Sequence, residues 1–152
     1  MKFEKFLKSV GTHGEVITIN ESEKWLICDG VGMVSPRGVD NLLGSAKAEE
    51  YASIVHAFSN VDYDDPLELV QAVLLDPTAN AKGIYRVFET DMGDTVGICN
   101  ADYGLLEKSD KLCYCEIEIP PTEETEAHTV KYVLVYDEMD SLRGFITGSD
   151  KF

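Results

Sequence analysis

The sequence predicts an α+β fold: an antiparallel β-meander of about five to seven strands, with an N-terminal helix and two mid-chain helices packed on one face. Three observations carry this prediction. Five runs between Lys82 and Thr147 are rich in β-branched and aromatic residues, which suit a pleated, half-buried surface. No helix-length segment separates the last three runs, and short links join antiparallel neighbours, because a parallel return needs a crossover of a dozen or more residues. Ahead of that block, apolar residues recur at helical spacing in three places. The 152 residues read as one domain, with a hairpin, a glycine-rich loop and helices in 1–81 and the meander in 82–152.

Met1 to Val10 places Phe3, Phe6, Leu7 and Val10 at helical spacing, with Lys2, Lys5 and Lys8 on other faces, and ends at Gly11. Such a helix either covers the dry face of the sheet or serves as an arm. As an arm, Phe3 and Phe6 are its partner-binding residues, and the lysines suit an acidic neighbouring subunit. Glu15–Ile19 and Lys24–Cys28 form a hairpin across Asn20–Glu23, with Trp25 in the core. Asp29 to Gly44 holds four of the twelve glycines and reads as irregular. Its Gly30-x-Gly32 lacks the third glycine, the Gly-Lys-Ser/Thr ending and the following helix of a phosphate loop. Long ordered loops in small domains are often contact surfaces, so Gly32, Met33 and Arg37 are expected to face a partner.

Ala46 to Asn60 reads as a helix with the stripe Tyr51, Ile54, Val55 and Phe58 and with acids in its first turn, which the helix dipole favours. His56 reads as an ordinary helix residue. A second helix is expected from Asp65: Asp65 as N-cap, Pro66 at the first helical position, Glu68 completing a capping box, and Leu67, Val70, Val73 and Leu74 as the buried stripe. Asp62, Asp64 and Asp65 do not form a calcium loop, since Leu67 stands where that loop needs glycine.

The strand runs follow: Gly83–Glu89, Thr95–Cys99, Leu112–Ile119, Val130–Tyr136 and Leu142–Ile146. Alternation sends Cys113, Cys115, Ile117 and Ile119 to one face, and Leu112, Tyr114, Glu116 and Glu118 to the other. Val130–Tyr136 is apolar at nearly every position and reads as central. Asn100–Asp110 is a polar link anchored by Leu105 and Leu106, and Pro120–Glu126 an acidic loop.

Thirteen basic and 28 acidic side chains give a net charge of −15. That disfavours direct binding to nucleic acid, which needs a basic footprint. The charge reads either as a solvated surface that opposes self-association or as one that attracts a basic partner, in the limit by imitating nucleic acid. On the second reading Glu123, Glu124 and Glu126 are the contact residues. The four cysteines sit in apolar strand-like runs and are expected to be reduced and buried, as in a cytoplasmic protein. Cys113 and Cys115 lie about 6.5–7 Å apart by strand rise, beyond comfortable disulfide reach. Cys-x-Cys is not zinc-finger spacing, and no metal or cofactor is expected. No run reaches the roughly 18 apolar residues of a membrane span, and the lysine-bearing N-terminus lacks a secretory apolar stretch. No G-x-S-x-G elbow occurs. His13-Gly14-Glu15 matches half of the zinc-deaminase pattern without its Pro-Cys-x-x-Cys. No enzyme activity is expected.

Lys5–Glu15 and the block from Arg86-Val87-Phe88 through Gly97–Glu107 resemble small, uncharacterised proteins from bacteriophages and prophages. The resemblance brings no catalytic residue. It implies a phage context and two roles. The first is a non-enzymatic virion component, head- or capsid-associated, that contacts itself or another phage protein. The second is an inhibitor of a basic host defence nuclease, of the anti-CRISPR type. Either would place the protein in the host cytoplasm, and the first then in the virion.

Overall fold

Alternating side chains divide the strands between two antiparallel sheets. In a computed structural model, residues 1–11, 13–19, 23–35, 48–61, 65–74, 83–149 and 152 are described. In chain order the elements are α1 (Phe3–Val10), β1 (Glu15–Ile19), β2 (Glu23–Cys28), β3 (Val31–Val34), α2 (Ala48–Ser59), β4 (Glu68–Leu74), β5 (Ile84–Glu89), β6 (Thr95–Cys99), α3 (Asn100–Tyr103), β7 (Lys111–Ile119), β8 (His128–Tyr136) and β9 (Leu142–Thr147). One sheet has six strands in the order β1-β2-β3-β9-β8-β7, and the other three in the order β4-β5-β6. The fold is α+β and antiparallel, as the sequence predicts. The meander itself is β7-β8-β9. Strands β5 and β6, expected to continue it, instead pair with β4 in the second sheet.

The centre of the six-stranded sheet is buried on both faces. On β8, Val133 and Val135 join a core with Phe3, Phe6 and Val10 of α1, Phe88 of β5 and Val96 and Ile98 of β6. Tyr132, Leu134 and Tyr136 point to the opposite face, into a core with Val55 and Phe58 of α2. This explains why β8 is apolar throughout: each face meets its own layer. It also corrects the expectation that the helices share a face, since α1 and α2 cover opposite sides. The α2 side is aromatic. The Phe58 ring lies 4.8 Å from Tyr132 and 5.1 Å from Phe145, and Trp25 stacks 6.3 Å from Phe145.

Two expectations about local structure are overturned. The helix from Asp65 does not form. Asp65–Leu67 runs along the β7 edge, with the Leu67 amide donating to the Leu112 carbonyl at 3.0 Å and the Tyr114 amide to Asp65 at 2.9 Å. Glu68–Leu74 is then a strand, paired with β5 from Glu68↔Glu89 to Leu74↔Ile84. A helix this short is marginal by itself, whereas the β-branched and aromatic β5 offers a ladder of backbone partners. The Asp29–Gly44 loop is likewise not irregular from its start. Asp29 and Gly30 have φ of 49° and 78°, a two-residue turn of the primed type, and they connect β2 directly to β3. Thr147 closes this corner, donating to the Gly30 carbonyl through its amide at 2.8 Å and its hydroxyl at 2.7 Å.

Candidate interaction surfaces

The residues expected to meet a partner separate into internal and external sets. Phe3 and Phe6 are 8% and 3% exposed and belong to the core beneath α1. The Lys2 amide fixes the helix start by donating to the Leu105 carbonyl at 2.8 Å. Gly32 and Met33 are buried in β3, pairing with Phe145 and Gly144 of β9. These four residues hold the fold together and offer no outward surface. Gly32 is glycine for a packing reason, since a Cβ there would land on the Phe145 ring. Arg37 lies outside the described residues.

Glu123, Glu124 and Glu126 are exposed in the link between β7 and β8. The link is shaped by its threonines: the Thr122 amide donates to the Thr125 carbonyl at 2.9 Å, and the Thr125 amide to the Thr122 hydroxyl at 3.1 Å. Glu116 and Glu118, exposed on β7, extend the same acidic ridge toward the sheet. Along this stretch the solvated charges lie on a two-stranded arm formed by the far ends of β7 and β8.

A second surface has no distinct signal in the sequence. Leu69 and Val70 of β4 are 45% and 50% exposed, and Glu68, Gln71 and Ala72 beside them are exposed as well. Among the described residues two other large hydrophobic side chains are exposed, Met92 and Met139, each in a separate turn. Leu69 and Val70 are adjacent and lie on the outer strand of a sheet. The register with β5 skips at this point, so Val70 has no counterpart there. A cleft of about 340 Å³ runs beside Leu69, floored by Phe88, Leu106 and Leu112.

The ionisable groups gather elsewhere. A cleft of about 500 Å³ between α1, the Asp29–Gly30 turn and α3 is lined by Lys5, Cys28, Asp29, Asp102 and Tyr103. Burial raises the Asp102 carboxyl, the Cys99 thiol hydrogen bond opposes this, and the Asp29 charge adds to the rise. Burial and then Asp29 also raise the Cys28 thiol. An active nucleophile needs a lowered thiol, so this environment suppresses the chemistry rather than promoting it. Nearby, Arg86 donates to the Asn100 side-chain oxygen at 3.1 Å and lies 4.9 Å over the Tyr103 ring, which ties α3 to β5. Among the described residues no group of three or more His, Cys, Asp or Glu side chains is placed to hold a metal ion, and no helix is long and apolar enough to cross a membrane.

Compared with family models, curated proteins and solved structures, the chain finds no match.

Proposed function

We propose that the protein is a non-enzymatic structural component of a bacteriophage, head- or capsid-associated, that acts through contacts with copies of itself or with another phage protein. One observation carries this reading: the exposed apolar pair Leu69 and Val70 on the outer strand β4. Exposed apolar side chains on a sheet rim favour contact with a partner, and the −15 charge over the rest of the molecule confines association to such places. The phage setting comes from the resemblance of Lys5–Glu15 and Arg86–Glu107. Quantitative mass spectrometry of purified particles tests it. The expected result is a fixed copy number per particle that survives a high-salt wash, and absence from the particles overturns the reading.

A second reading is favoured by the acidic ridge of Glu116, Glu118, Glu123, Glu124 and Glu126. On that reading the protein is an acidic inhibitor that occupies the nucleic-acid groove of a basic host nuclease. Affinity for such a nuclease would fall steeply with salt. Binding unchanged by combined Glu123→Gln, Glu124→Gln and Glu126→Gln would remove this loop from the contact.

A further inference from the structure

We propose that β4 is a self-association edge, through which two copies pair antiparallel and join their three-stranded sheets into one sheet of six. This deepens the self-contact part of the reading above and rests on it only for the biological setting. A sheet edge carries a row of unpaired amides and carbonyls, and the natural complement of such a row is another extended strand.

The four sheet edges differ in how they are closed. On β6 the Ser149 amide donates to the Gly97 carbonyl at 2.7 Å, and the Lys131 ammonium to the Thr95 carbonyl at 2.8 Å. On β7 the chain from Asp65 to Leu67 covers one half, and the other bears Glu116 and Glu118, which repel an incoming strand. On β1 only Thr18 is exposed, and no apolar side chain on it is. Strand β4 is exposed from Glu68 to Ala72, and among the described residues no strand pairs with its outer side.

Charge sets where two copies can meet and in which direction. Copies that each carry −15 can approach only where charge is sparse. Glu68–Leu74 has one charged residue, at its first position. Antiparallel pairing about Gln71 runs the uncharged stretches Leu69–Leu74 of the two copies against each other, with the bulge at Val70 on either side of the centre. It also sets Glu68 against Leu74 and holds the two Glu68 carboxylates about 20 Å apart, roughly two screening lengths. Parallel pairing would place the two carboxylates side by side. A two-fold antiparallel contact closes on itself, so the product is a dimer and not a fibre.

Sedimentation velocity from about 1 to about 300 µM, at about 50 mM and about 500 mM NaCl, measures the association. A monomer–dimer equilibrium that salt strengthens is expected. Hydrogen–deuterium exchange across the same concentrations should show slowed amides within 68–74. Val70→Lys, at a half-exposed position, should weaken the dimer at least about tenfold while leaving the circular dichroism spectrum unchanged. Glu118→Lys on β7 should leave the dimer as it is. A monomer throughout, or a dimer whose protection falls outside 68–74, overturns the proposal, and exchange on the unsubstituted chain decides this even if Val70→Lys unfolds. A β4 dimer in a protein absent from particles retires the virion reading alone; a monomer found in particles retires the dimer alone.

Discussion

Cys115 sits half-buried on β7, and burial first, then Cys113 and Glu116, push its thiol up to about 11. At pH 8 only about one Cys115 thiol in a thousand is then ionised, so Cys115 should react with a thiol reagent about a hundredfold more slowly in the native chain than in the unfolded chain, as residue-resolved alkylation kinetics would read. The same group predicts alkaline instability. Its folded value lies above the ordinary 9.0, so the folded state holds the proton longer. That contribution is complete below pH 9 and is lost as pH rises toward about 11. Burial and the Glu116 hydrogen bond raise the Tyr114 hydroxyl in the same direction. The melting midpoint should therefore fall between pH 9 and 11. Gly32→Ala should cost about 1–3 kcal/mol in urea unfolding, because its methyl group meets the Phe145 ring in a packed aromatic cluster. The burial of Cys113 was legible from its apolar neighbours, whereas Cys28, Cys99 and Cys115, expected to be buried too, are only partly covered. The role of Gly32 was not legible, because a glycine among apolar residues signals a loop unless the ring that crosses it is known.

Helix α1 was legible as an element, since the spacing of Phe3, Phe6 and Val10 fixes which face is apolar. Spacing could not tell whether that face meets its own sheet or a neighbour, and burial decides for its own sheet. Phe6→Ala should accordingly cost about 3–5 kcal/mol of folding stability, measured by denaturant titration, where a docking arm would lose only association. The β2–β3 hairpin was legible in principle, because Asp-Gly between apolar runs is a strong short-range hairpin signal, but the glycines after it drew the reading toward a loop. Asp29→Asn should raise stability by about 0.5 kcal/mol, since asparagine accepts positive φ more readily and the substitution removes a charge near Asp102. The sequence of β4 points to a helix for a clear reason. Asp65-Pro66 is a good helix opening, yet the Asp65 carbonyl accepts from Tyr114, and the chain that follows finds its backbone partners on β5. A local signal yielded to tertiary pairing.

For the whole molecule, composition carried what it could. The exposure of Glu123, Glu124 and Glu126 follows from an acidic, proline-bearing link, and changing all three to Gln should move folding stability by no more than about 0.5 kcal/mol in a thermal melt. Any loss of partner binding in that variant then belongs to the surface and not to the fold. Salt should raise the melting temperature of a chain at −15 by screening its self-repulsion. The division into two sheets was invisible in the sequence, because it depends on which strands meet and not on which strands exist. The pairing of Val31 with Ile146 carries a consequence for biosynthesis. Strand β3 leaves the ribosome about a hundred residues ahead of β9. Until translation delivers Leu142–Thr147, the first hairpin has only a bare side at β3, so the larger sheet closes only once β9 has emerged, and a nascent chain stopped before Leu142 would present that open side to chaperones.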